Sequence, residues 1–141
     1  MRYWDTSAIL PLIVDEPPRE RLLELYRQDS QILAWWASPV EMASAVARRE
    51  REGRISPEEA QAALNAAKHL AAAWHEVLPS DRVRHTAQRL LRVHSLRAAD
   101  SLQLAAALIA ANHDPATLEM VCLDARLTAA ARREGFSVID S

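Results

Sequence analysis

Four acidic residues, Asp5, Glu41, Asp100 and Asp124, are the side chains in this sequence best placed to do chemistry together. None has an acidic neighbour, yet each falls where a strand should end or a helix begin. Asp5 closes the run RYWD and Asp124 the run MVCLD, while Glu41 and Asp100 fall in first helical turns. In an open parallel sheet, ligands collect beyond the carboxyl ends of the strands, where helix N-termini also gather. If the strands ending at Asp5 and Asp124 run parallel near the sheet centre, the four carboxylates share one edge. All-oxygen ligation by separated carboxylates is the preference of Mg2+ and Mn2+. Such a cluster suits phosphodiester hydrolysis, in which the ion orients the phosphate, lowers the pKa of an attacking water and stabilises the leaving oxygen. Thr6 or Ser7 could add a hydroxyl.

Each acid also has a plainer reading. Asp5 and Asp124 could be helix N-caps, worth about 1 kcal/mol each. Glu41 could close a capping box opened by Ser38, and acids in first turns are favoured by the helix dipole in any case. Asp100 differs. Its helix is apolar nearly all round and reads as buried, with Asp100 above Leu104 and Leu108 on an inward stripe. A carboxylate there needs a partner or becomes protonated. Arg97, three residues earlier, and a shared divalent ion are the two candidates.

The elements that must position these residues follow from local signals. Arg2–Trp4 is a short strand candidate, and Ser7–Val14 reads as a short helix. Pro17-Pro18 opens a second helix, Arg19–Asp29, with Leu22, Leu25 and Tyr26 on one face. Gln31–Ala37, with two Trp, is better as a strand. Ser38-Pro39-Val40-Glu41 predicts a capped helix to about Arg51, and Ser56-Pro57-Glu58-Glu59 repeats the device before an Ala-rich helix to Trp74. A weak strand at Glu76–Leu78 precedes a helix over Asp81–Val93 capped by Ser80. Ala98–Asn112 is another helix and Leu118–Leu123 a strand. Asp124–Glu134 is a helix ended by Gly135 as a left-handed cap, and Phe136–Ile139 a last strand. The alternation predicts an α/β fold with a mostly parallel sheet of about five strands covered on both faces.

Composition narrows the function. At 141 residues the chain fits a single domain, residues 1–141, with a sizeable core. Its two glycines, Gly53 and Gly135, stand too far apart for a GxGxxG or GxxxxGK[ST] phosphate loop. The one cysteine, Cys122, allows no intramolecular disulfide or Cys-rich zinc site and suits a reducing cytosol. The five His lack metal-binding spacing. The longest apolar run, Leu104–Ala111, falls far below the ~18 residues of a membrane span. Because Asp5 interrupts any leader-like start, a soluble, cytoplasmic protein with no membrane partner is expected.

A net charge of −2 argues against coating nucleic acid by bulk electrostatics. Setting the four acids aside, however, leaves 15 acidic residues against 17 basic ones, a slightly basic body around an acidic pocket. Arg48, Arg49, Arg51 and Arg54 read as a solvated face interleaved with Glu, beyond the edge where the acids sit. Arg84, Arg89, Arg92 and Arg97 lie on or after the helix leading to Asp100, and Arg97 is the candidate for an RNA-phosphate contact. No basic patch is interleaved with aromatics, so no base-stacking surface is predicted.

The segments RYWDTSAIL, SPVEMASAVARRE, LRAADSLQLAAALIA and VCLDARLTAAARREGFSVI, in this order and spacing, resemble the PIN domain. More narrowly, they resemble the VapC toxins of bacterial toxin–antitoxin pairs. The resemblance covers essentially the whole chain, with LRAADSLQLAAAL its most specific segment and DTSA the second. It implies a three-layer α/β/α sandwich and a Mg2+- or Mn2+-dependent endoribonuclease acting on tRNA, rRNA or mRNA. It also implies Asp5, Glu41, Asp100 and Asp124 as the catalytic acids. Asp5 and Asp100 would be the direct metal ligands, Glu41 and Asp124 would complete the pocket, and Thr6 would be a supporting hydroxyl. Ser101 stands where a small apolar residue is usual and could add a ligand, and Cys122 occupies a place often held by Thr or Ser. The implied partners are a second copy of the chain and a small VapB-like antitoxin that enters the groove, with operator DNA reached only through the antitoxin.

Two other α/β classes fail on residues. A phospho-receiver domain needs adjacent acids near the first strand and a Lys at a later strand end, but the only Lys is Lys68, in mid-helix. A haloacid-dehalogenase-type phosphatase needs DxDx[TV], and the chain reads Asp5-Thr6-Ser7-Ala8-Ile9. A PIN nuclease outside a toxin–antitoxin pair, or a degenerate PIN domain that only binds, are the remaining alternatives.

Overall fold

Five short strands build the sheet, and each of the first four leads into a helix. In a computed structural model describing residues 1–141, the strands are β1 (Arg2–Trp4), β2 (Ile32–Trp35), β3 (His75–Val77), β4 (Met120–Val121) and β5 (Val138–Ile139). They form one sheet in the order β3-β2-β1-β4-β5. Every pairing is parallel, and β1 is central: Tyr3 is in register with Leu33 on one side and Met120 on the other.

The seven helices are α1 (Thr6–Ile13), α2 (Arg19–Gln28), α3 (Ser38–Arg51), α4 (Pro57–Ala73), α5 (Asp81–Val93), α6 (Ala98–Ala110) and α7 (Ala125–Glu134). Helices α1 to α4 pack with Trp4, Ile32, Ala34 and Val121 in one core. Helices α5 to α7 pack with Tyr3, Leu33, Trp35 and Met120 in the other. The period of two along a strand sends the adjacent, fully buried Tyr3 and Trp4 to opposite faces. The result is a three-layer α/β/α sandwich. Right-handed crossovers explain the division of helices: the steps β1 to β2 to β3 use one face, so the reversed step from β3 to β4 must use the other. Strand order therefore reverses between β1 and β4, and the crevice beyond their carboxyl ends is the switch point where such sheets bind ligands.

Local caps fix most helix starts. Asp5 caps α1, Asp124 caps α7, Ser80 caps α5, and Ser56 with Glu59 forms a complete capping box on α4. The box expected at Ser38–Glu41 does not form. Ala37 is the N-cap of α3 without a side-chain bond, because Ser38 and Glu41 both turn inward to Gln103. Gly135 ends α7 at φ 108°, a left-handed conformation that glycine adopts freely. Helix α6 stops before Asn112 and His113, which take positive φ. The strand expected over Leu118–Leu123 shortens to Met120–Val121 behind a 3-10 turn at Pro115–Thr117. No helix is long and apolar enough to cross a membrane.

Candidate active site

Four separate elements deliver the four acids to one open cleft of about 490 Å³ at the carboxyl edge of the sheet. Asp5 follows central β1 and Asp124 lies beyond β4, so they flank the switch point. Glu41 comes from the first turn of α3 in one helical layer, and Asp100 from the first turn of α6 in the other.

Asp5 is buried, and its Oδ2 accepts hydrogen bonds from the Ser7 backbone N–H (3.0 Å) and hydroxyl (2.5 Å). Burial raises its pKa against those bonds, and the charges of Asp124 and Asp100 raise it further. Glu41 is pushed up to about 7, by burial first and then by the charge of Asp5, with hydrogen bonds from Gln103 and Thr6 opposing the shift. Asp100 is also raised, by burial and then by Asp124, while the Arg97 N–H and the charges of Arg126 and Arg97 pull it down. None of the four forms an ion pair with Arg or Lys. The cleft gathers mutually repelling carboxylates, and the one arginine in its lining, Arg48, pairs with none of them.

Asp100 is half-buried rather than enclosed on an inward stripe. The first turn of α6 stands at the sheet edge, and full burial begins only at Ser101. The Arg97 backbone N–H, not its guanidinium, reaches the Asp100 carboxylate at 3.4 Å. Ser101 lies outside the cleft lining and donates its hydroxyl to the Ala98 carbonyl at 2.7 Å. The Thr6 hydroxyl faces the cleft and accepts from Gln103 Nε2 at 3.1 Å. Ser7 ties two strand ends together, donating to Asp5 and accepting from the Leu123 N–H at 2.9 Å. Cys122 lies behind Asp5; burial and then the Asp5 charge push its thiol up to about 12, so it stays protonated.

Two residues of the cleft escape a reading of the sequence. Gln103 is fully buried: it accepts from Tyr3 Oη at 2.6 Å, and its Nε2 lies within hydrogen-bonding distance of Glu41 Oε2 (3.0 Å), Thr6 Oγ1 (3.1 Å) and Ser38 Oγ (3.2 Å). One amide thus bridges the two helical layers across the end of β1. Its signal was that of a lone amide in an otherwise apolar helical stretch, one turn from Asp100. The other is Arg48. It lines the cleft, contrary to the expected solvated face beyond the acids, whereas Arg49 and Arg54 turn away to pair with Glu16 at 2.9 Å. Arg84 and Arg89 are engaged elsewhere, with Asp81 and Glu134.

No group of three or more His, Cys, Asp or Glu side chains is gathered tightly enough to hold a metal ion by itself. Mg2+ does not require such a cage, since it keeps several waters and takes one or two carboxylates. Oxygen-only donors that repel one another and form no ion pair with Arg or Lys suit such an ion, with Asp5 and Asp100 as the candidate ligands.

A parallel sheet in this order, helices on both faces and acids at the switch point define the class of fold. The sequence pattern of the PIN domain matches residues 2–114, and the chain belongs to the PIN domain family. Among solved structures, FitAcB from Neisseria gonorrhoeae is similar at a TM-score of 0.68 and 15% identity, covering 99% of this chain and 96% of that one. FitAB bound to an IR36 DNA fragment gives 0.68 and 14%, covering 99% and 94%. A toxin–antitoxin complex from Klebsiella pneumoniae gives 0.65 and 12%, covering 92% and 91%. Comparison with curated proteins finds no match.

Proposed function

We propose that this PIN domain is a Mg2+- or Mn2+-dependent endoribonuclease and the toxin of a VapBC-type toxin–antitoxin pair. The observation that carries the nuclease reading is the convergence of Asp5, Glu41, Asp100 and Asp124 on one cleft, none of them paired with an Arg or Lys. Asp5 and Asp100 would hold the ion, and Asp124 would complete the acidic wall. A bound divalent ion supplies the charge that activates water and stabilises the leaving oxygen in phosphodiester hydrolysis. Glu41, with its carboxyl near 7, is suited to exchange a proton at neutral pH, and Gln103 and Thr6 hold its orientation. Ser7 fixes Asp5, so the first ligand is presented by two bonds from its own helix.

The partner reading is supported by the similarity to FitAB and to a toxin–antitoxin complex. It includes a small VapB-like antitoxin that masks the cleft and carries the pair to operator DNA, together with self-association into a homodimer. The purified chain is expected to cut structured RNA with Mg2+ or Mn2+, to stop with a chelator, and to lose about two orders of magnitude of activity as Asp5→Asn or Asp100→Asn. Undiminished cleavage by both variants would overturn the site. A folded chain that never cuts RNA would favour a binding-only PIN domain.

A further inference from the structure

Repelling carboxylates leave open how a polyanion is held above them. One arginine, Arg48, lines the cleft, and two more, Arg97 and Arg126, stand at the helix starts beside Asp100 and Asp124; none of the three forms an ion pair. Arg48 lies on the same stripe of α3 as Glu41 and Ser44, seven residues and about 10 Å along the helix axis from Glu41. It is exposed and makes no ion pair, whereas its neighbour Arg49 is locked to Glu16 through both Nε and Nη2. On the opposite wall, Arg126 occupies the first turn of α7, two residues past Asp124, and Arg97 is the N-cap of α6. Both are exposed, neither forms an ion pair, and both lie close enough to act on the Asp100 charge. Cations at helix N-termini oppose the helix dipole, so helix stability alone does not account for Arg97 or Arg126.

We propose that Arg48 on the α3 wall, with Arg126 and Arg97 on the α6–α7 wall, grips the phosphates on either side of the one at the acids. A single RNA strand then crosses the cleft from one helical layer to the other. The inference rests on the ribonuclease reading and adds the path of the substrate to it. Guanidinium groups suit the task because they bind phosphate oxygens in bidentate fashion and stay charged at any working pH. Contacts of this kind set register on the strand and carry no sequence information.

The test is anisotropy titration of a labelled single-stranded RNA of mixed sequence, in Ca2+ to suppress cleavage, over a range of salt. Arg48→Ala and Arg126→Ala are each expected to weaken binding about three- to tenfold at 0.1 M salt. Each should also reduce the slope of log affinity against log salt by about 0.7, the share of one phosphate contact on a single strand. Arg97→Ala should act in the same direction, and Arg84→Ala, whose guanidinium pairs with Asp81, should change neither quantity. Wild-type affinity and slope in both Arg48→Ala and Arg126→Ala, with RNA bound by the wild type, would overturn the clamp and leave the nuclease reading standing. A wild-type chain that neither binds nor cuts RNA would overturn both.

Discussion

Glu41 shows what the site demands of a single residue. It is half-buried, bonded to Gln103, and subject to the charges of Asp5 and Asp100. Its carboxyl rises from 4.5 to about 7 on folding. A raised carboxyl contributes stability that is fully present below the unfolded value and is lost as pH rises through the folded one. Without divalent ions, this contribution is present near pH 4.5 and gone above about pH 7. Glu41→Gln should therefore raise the melting temperature at pH 8 in chelator by roughly 2–6 °C and leave it nearly unchanged at pH 4.5. Thermal unfolding at the two pH values measures this, and an equal or lower Tm for the variant at pH 8 would contradict the electrostatic account. The residues around Glu41 were unequally legible. Asp5 and Asp124 announce themselves at strand ends, whereas the inward turn of Glu41 depends on an amide more than sixty residues away.

At the scale of elements, signals confined to a few neighbouring residues translated well. Ser80 starts α5 where its cap places it, and Ser56-Pro57-Glu58-Glu59 forms the box that its pattern implies. The same pattern at Ser38-Pro39-Val40-Glu41 fails because the buried Gln103 outcompetes the helix terminus for both polar side chains. Arg48 and Arg49 make a similar point. Adjacent positions on a helix differ by about 100° in direction, so one arginine lines the cleft and the other meets Glu16. Charge runs do not reveal that rotation until the helix is seated against its neighbours.

Gln103 also joins α6 to β1, α1 and α3, so its removal should be felt by both layers. Gln103→Leu keeps the bulk but strips Tyr3 Oη and Ser38 Oγ of a buried partner. Denaturant unfolding should show a loss of about 2–4 kcal/mol. A loss below about 0.5 kcal/mol would mean that the amide bridge is incidental.

For the molecule as a whole, helix and strand alternation was enough to predict a parallel α/β sandwich. The strand order was not readable, because pairing between β1 and β4 joins segments more than a hundred residues apart and leaves no local trace. That order places Asp5 and Asp124 on either side of the reversal point, and right-handed crossovers bring Glu41 and Asp100 over the crevice from opposite faces. The near-neutral charge of the chain is an average over an acidic cleft and a slightly basic remainder, including the arginines at the rim. Whether the acids hold a divalent ion is the question on which the functional reading turns, and diffraction from crystals grown with Mn2+ answers it most directly. Anomalous scattering should give a peak in contact with the Asp5 and Asp100 carboxylates, absent in Asp100→Asn crystals. Ordered carboxylates around an empty cleft at saturating Mn2+ would contradict the account.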